Sequence, residues 1–258
     1  MGLFVKLPHM TTSKPVLILQ LRPEDVTSNS EYACFLKYGQ LSEKDTCRVR
    51  IEQTGIPADL NLANYSAIIV GGSPFDISTS ENNKSDIQKK IESDFQHLLD
   101  QVVPLDYPFL GACSGNGLLG NYLGTSISKK YGEAIACVEV EITESGKKDP
   151  LLEDLPAHID VLLGHKEACD TTPKGTTLLM TGTNCPVQMF RTGENVYATQ
   201  FHPEGDAEEF ILRIETYSNH GYFKPHEEEF LKKAVSRKPT PYAQEILRRF
   251  VNRYYYQA

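Results

Sequence analysis

The stretch Tyr107-Pro-Phe-Leu-Gly-Ala-Cys113-Ser-Gly-Asn-Gly-Leu-Leu-Gly-Asn-Tyr-Leu-Gly124 constrains the fold more than any other part of the chain. An apolar run breaks at a cysteine and passes straight into a helical pattern, so one thiol sits on a sharp strand-to-helix turn. Gly111 and Gly115, two places to either side, remove the Cβ atoms that would collide as the chain reverses. Such an elbow lifts the Cys113 side chain into the open and aims the first turn of the following helix at it. Unpaired N–H groups and the positive dipole end there stabilise a thiolate, and they also stabilise negative charge developing on a substrate oxygen. The competing reading of Cys113 is a small packed hydrophobe ending a core strand, since free cysteine is among the most buried residue types.

The elbow belongs to an alternating pattern. Residues 16–21 and 66–70 are solid apolar runs that predict strands buried on both faces, the second ending in Gly71-Gly72-Ser73-Pro74. Helical spacing follows at 31–41, alternation at 47–53, and a long amphipathic helix at 85–103 with Ile87, Ile91, Phe95, Leu98, Leu99 and Val102 on one stripe. Residues 108–113 predict the next buried strand and 115–123 the helix after the elbow. This order implies an α/β fold, a doubly wound and mostly parallel sheet with flanking helices, whose ligand sites lie beyond the carboxyl ends of the strands. Cys113 and Gly71-Gly72 both fall at such ends.

From Glu133 the texture changes to short strand patterns at 137–142, 160–163, 177–180, 187–190 and 196–201, separated by turn signals. They are expected to complete the sheet with an antiparallel ribbon. Residues 207–256 read as a helical C-terminal extension interrupted near 221–225 and 239–241. Residues 1–10, ending in His9-Met10, read as a tag remnant or disordered N-terminus, and 11–258 as a single domain.

A chain of 258 residues with 40% hydrophobic and 23% charged residues has the composition of a soluble globular protein. The net charge of -8, with both signs mixed along the chain, gives a nucleic-acid partner no electrostatic support. No apolar run approaches the ~20 residues of a membrane span, and no secretory leader is expected at the N-terminus. The six cysteines show no metal-ligand spacing, and scattered thiols in an enzyme-sized chain imply a reducing cytoplasm.

A second constellation, Thr199-Gln-Phe-His202-Pro-Glu204-Gly, closes an apolar strand. Pro203 holds His202 extended and stops strand pairing. Residues two apart share a side of an extended chain, so Glu204 can fix the His202 tautomer and stabilise the imidazolium formed when the ring accepts a thiol proton. Cysteine, histidine and carboxylate are then available for nucleophilic catalysis. A histidine capping a strand end is the alternative for His202 alone.

Gly111-Ala-Cys113-Ser-Gly115, followed some ninety residues later by Gln200-Phe-His202-Pro-Glu204, resembles the class I glutamine amidotransferase family, in particular stand-alone proteins similar to the amidotransferase domain of GMP synthase. The likeness includes Ile68-Ile-Val-Gly-Gly72-Ser-Pro, Gly164-His165, Pro186-Val-Gln188 and Phe190, and extends to Gly221-Tyr222 and the last helix. It implies a flavodoxin-like sheet in which Cys113 attacks the carboxamide carbon of a glutamine or γ-glutamyl side chain, giving a thioester. By the same likeness His202 acts as base and then acid, Glu204 orients it, and the backbone N–H groups of Gly72 and Ser114 form the oxyanion hole. No cofactor or metal is expected.

The chain departs from that family at two positions beside the nucleophile. Ser114 stands where the family usually has an aromatic residue, and Gly117 where it has a glutamine that helps hold the substrate. Asn116 sits one position early on another helix face and is no replacement. The residues that bind substrate are therefore not identified from the sequence. The stretch after Glu204 is too short for an ATP-dependent synthase domain, and no phosphate loop of the G-x-x-x-x-G-K-[ST] type occurs. Either the ammonia passes to a separate synthase subunit or the protein is simply a hydrolase. Three readings follow: a glutamine amide hydrolase, a γ-glutamyl peptidase with room for a larger leaving group, and a catalytically silent binding or regulatory subunit. His165 is a further candidate lining residue, with a structural strand end as its alternative.

Overall fold

The computed structural model describes residues 14–218 and 223–257, so the expectations placed on residues 1–10 and on Gly221-Tyr222 lie outside the described residues. The apolar runs form the strands β1 (Val16–Gln20), β3 (Ile68–Val70), β4 (Phe109–Ala112) and β11 (Val196–Thr199), with β2 (Thr46–Arg50) at the edge. These five pair in parallel in the order β2-β1-β3-β4-β11. The sheet continues antiparallel through β10 (Met189–Thr192), β9 (Thr177–Gly182), β6 (Glu133–Ile142) and β7 (His158–His165) to nine strands. The expected antiparallel ribbon is thus a direct extension of the parallel block. A separate pair, β5 (Ile127–Ser128) and β8 (Ala168–Cys169), lies beside it.

Strand periodicity sorts the core into two layers, because successive side chains point to opposite faces. Val16 and Ile18 of β1 pack on one face with Ile69, Leu110 and Tyr197, under helices α1 (Asp25–Gly39) and α7 (Pro241–Val251), the latter following α6 (Glu228–Val235). Leu17 and Leu19 pack on the other with Ile68, Val70 and Phe109, under α3 (Asp86–Val102) and α4 (Ser114–Tyr122); a single-turn helix α2 (Ile51–Thr54) leads out of β2. Pro241 opens α7, where its missing N–H costs nothing, and Ala243, Ile246, Leu247 and Phe250 at helical spacing bury one face. Each such large side chain contributes about 1.5–3 kcal/mol through burial. Tyr254 and Tyr255 continue that packing, whereas Tyr256 is exposed.

Two details differ from the periodicity. Ile87 is half exposed, in the first turn of α3, whose buried face is carried instead by Gln88, Ile91, Phe95, Leu98, Leu99 and Val102. Helix α1 begins at Asp25, earlier than 31–41 suggests, because its buried face carries Thr27, Ser28 and Glu31 as well as Cys34 and Phe35. Polar groups facing inward hide a helix from hydrophobic patterning, and here one of them, Glu31, reaches Arg22 and the Gly72 N–H at the strand ends.

Candidate active site

Four neighbouring parallel strands deliver the site from their carboxyl ends: β1 leads to Arg22, β3 to Gly72, β4 to Cys113 and β11 to His202. Cys113 has φ 52° and ψ −94°, a strained conformation for a residue with a Cβ. Its N–H donates to Thr199 O at 2.8 Å, which ties the elbow to β11. A Cβ on Gly111 would lie 2.8–2.9 Å from the backbone of Gly115, so the close return of α4 onto β4 requires glycine there. Gly115 is less constrained, since its Cβ position is 3.4 Å from Val70.

His202 and Glu204 meet through a turn rather than along an extended segment: Gly205 N–H donates to His202 O at 3.2 Å, and the side chains close at 2.6 Å between His202 Nδ1 and Glu204 Oε1. A carboxylate only accepts, so Nδ1 carries the proton and Nε2 holds the lone pair. The His202 side chain is 2% exposed and that of Glu204 is fully buried. Burial, then the charge of Arg213, pushes the imidazole down to about 4 against the opposing pull of Glu204. Burial raises the Glu204 carboxyl, but His202 and Arg213 more than offset this and hold it well below the usual range. Burial also pushes the Cys113 thiol up to about 11, despite Arg22 and Arg213. The resting site therefore holds a neutral thiol and a neutral imidazole in one cleft, with Ser73, Ser114 and Gly117 in its wall.

Around this pair lies a buried ionic network that sequence reasoning missed. Helix α5 (Ala207–Tyr217) begins just after Glu204 and supplies Glu209 and Arg213, which pair at i,i+4. Arg213 also reaches Glu204 Oε1 at 3.1 Å and Glu31 Oε1 at 3.6 Å. Arg22 Nε donates to Glu31 at 2.8 Å, and Gln20 Nε2 donates to the other Glu31 oxygen at 2.9 Å. The Glu209–Arg213 spacing directly after His202-Pro-Glu204 was the available signal, but charged pairs on helices more often mark a solvated face.

The expected oxyanion donors have different surroundings. Gly72 N–H donates to Glu31 Oε1 at 3.2 Å. A Cβ on Gly72 would lie 2.6 Å from Arg22 Nη2 and 2.8 Å from His202 Cε1, so glycine admits both side chains. The Ser114 N–H opens α4 without an acceptor among the described residues. The Ser114 hydroxyl accepts from Ser73 N–H at 2.8 Å, locking the segment after β3 to the elbow. At Gly117 a Cβ would lie 2.9 Å from Ile77 Cδ1, so Ile77 crowds the point where a side chain would begin. Asn116 faces inward and accepts from the Cys169 thiol at 3.2 Å.

His165 lines the same cleft and bonds Glu133 Oε2 at 3.1 Å and Glu167 O at 3.0 Å. Gln188 donates to the same Glu133 oxygen at 2.8 Å. Glu133, His165 and Cys185 place three metal-type donor atoms within 4.8 Å of one another among the described residues. The Glu133 and His165 atoms are already hydrogen-bonded to each other.

Comparison with known proteins places this geometry in a wider group. Residues 37–216 match the family described as glutamine amidotransferase class-I. The chain is 30% identical over 156 residues to a glutamine-hydrolysing GMP synthase of Thermosipho melanesiensis, covering 58% of this chain but only 26% of that protein. It is 28% identical over 144 residues to one subunit of the glutamine-hydrolysing GMP synthase of Sulfurisphaera tokodaii, covering 55% of this chain and 69% of that one. The crystal structure of a glutamine amidotransferase from Thermotoga maritima shares the fold, with a TM-score of 0.72 at 22% identity over 92% of this chain and 97% of that one. With the match spanning most of the sheet, the elbow and the His202 strand end, the chain belongs to the class I glutamine amidotransferase family.

Proposed function

We propose that the protein hydrolyses a glutamine side-chain amide through a Cys113–His202–Glu204 triad. The carrying observation is that Glu204 occupies His202 Nδ1 at 2.6 Å and leaves Nε2 as the basic nitrogen in the cleft that holds the strained Cys113. His202 Nε2 takes the thiol proton as Cys113 Sγ attacks the carboxamide carbon. The oxyanion of the tetrahedral intermediate is met by the Ser114 N–H at the start of α4, joined by the Gly72 N–H when it turns from Glu31. Collapse breaks the C–N bond, His202 gives its proton to the leaving nitrogen, and ammonia departs. Water, deprotonated by His202, then attacks the thioester and frees the carboxylate product and the thiol.

The missing side chain at Gly117, where the family usually has a glutamine, favours a second reading, a γ-glutamyl substrate with a larger leaving group. A substrate panel read for glutamate decides between them. Ammonia from free glutamine supports the amidotransferase reading, whereas an amino acid freed only from γ-glutamyl peptides supports the peptidase. No release from any member, with an intact fold, leaves the binding or regulatory reading. The Sulfurisphaera relative, itself one part of a GMP synthase, supports an ammonia acceptor carried on a separate synthase subunit. The six free cysteines support a reducing, cytoplasmic setting. No helix among the described residues is long and apolar enough to cross a membrane.

A further inference from the structure

We propose that Arg213 is a positioning residue of the triad, a buried guanidinium laid against the His202 imidazole that keeps the ring neutral and fixed in place; this rests on the triad reading above. Arg213 Nη1 lies 3.0 Å from His202 Nδ1 and 3.1 Å from Nε2. One N–H group cannot lie in the ring plane toward both nitrogens, so the guanidinium sits across the imidazole rather than at its edge. Its Nη2 donates at 3.1 Å to the same Glu204 oxygen that takes the Nδ1 proton. The guanidinium carbon stands 4.8 Å over the Phe210 ring, and Phe210 meets His202 edge-on at 5.4 Å. Glu204, Phe210 and Arg213 therefore box the ring, and the Arg213 side chain is only 6% exposed.

A permanent positive charge at this distance, away from water, makes a second charge on the ring costly. Glu204 by itself would favour the imidazolium. Arg213 thus adds to burial in holding the site as a neutral thiol and imidazole rather than as an ion pair. Other charged or titratable groups near the ring are Glu209 on α5, Arg22 beyond β1, Glu31 on α1 and Cys113 at the elbow, and the cleft wall adds Asp76, Glu133, His165, Lys166, Glu167 and Tyr217.

The test uses the full chain and compares the parent with Arg213→Lys, Arg213→Met and the double variant Arg213→Met with Glu209→Gln. The double variant changes both partners of the Glu209–Arg213 contact together and keeps the test open if the single Met variant does not fold. Two quantities are read: the acid limb of kcat/KM for glutamate release, and the ring titration of His202 by NMR, assigned with His202→Gln. In the Met variants both move up by at least about one pH unit. Lysine returns them toward the parent. A purely structural Arg213 lowers activity and melting temperature while limb and titration stay put, and that result overturns the proposal. If the parent releases no glutamate from any substrate the triad reading fails, yet the NMR titration still decides the role of Arg213.

Discussion

Gly72 donates its backbone N–H to Glu31 Oε1 at 3.2 Å, so the amide expected to steady a substrate oxyanion is engaged in the resting site. The position a Cβ would take on Gly72 is equally confined, 2.6 Å from Arg22 Nη2 and 2.8 Å from His202 Cε1. Gly72→Ala therefore drives a methyl group into His202 and Arg22. Glutamate release by this variant is expected to fall by about 10²–10³ in kcat, the usual loss when one oxyanion donor or its alignment goes. Steady-state kinetics beside circular dichroism checks this, and parent-like kcat contradicts it.

Gly111→Ala tests the elbow as a packing device. The new methyl meets Gly115 backbone, which cannot swing aside as a side-chain tip would. A stability loss of about 3 kcal/mol is expected, the upper range for overpacking a tight contact. Urea unfolding measures it, and a loss below about 1 kcal/mol, of the order of an ordinary surface change, shows that α4 can retreat from β4.

Ser114→Ala separates binding from chemistry. It removes the acceptor of the Ser73 N–H but keeps the amide that opens α4. Loss of that hydrogen bond costs about 1 kcal/mol and loosens the cleft wall. KM should rise more than kcat falls, and the reverse split would place the Ser114 hydroxyl in the chemical step.

The buried network also predicts a compensated response to pH. Burial pushes the Glu209 carboxyl from 4.5 up to about 7, against Arg213 and Arg22. Its stabilising proton is fully present below the unfolded value and is lost as pH rises through the folded one. His202 acts in the opposite sense: lowered from 6.5 to about 4, it refuses a proton that the unfolded chain accepts, so stability drops as pH drops across that window. The two effects offset each other where their windows overlap. Glu209→Gln unmasks His202, and the variant should lose about 1.4 kcal/mol per pH unit relative to the parent on acidification through the overlap. Denaturant midpoints at several pH values read the difference, and parallel curves for the two proteins count against it.

The elbow and the His202–Glu204 pairing were legible in the sequence because each rests on local chain chemistry: glycine beside a tight turn, and proline beside a histidine at a strand end. The parallel strands were legible for a similar reason, since burial on both faces leaves solid apolar runs. Arg22, Glu31, Glu209 and Arg213 were not. Scattered charged residues suggest a solvated surface until the strand order brings the ends of β1, β3, β4 and β11 together around them. The start of α1 was hidden for the same cause, because Thr27, Ser28 and Glu31 face inward. Ile77 opposite Gly117 is likewise a contact between distant segments that no spacing rule announces.

The central claim is that Cys113 is a nucleophile served by His202. Treating the protein with a thiol-reactive glutamine analogue and measuring intact mass and peptide maps tests it most directly. The account predicts one covalent adduct, located at Cys113, that is absent in Cys113→Ala, slowed in His202→Ala and accompanied by loss of glutamate release. An unlabelled Cys113, or glutamate release that survives in Cys113→Ala, would contradict it.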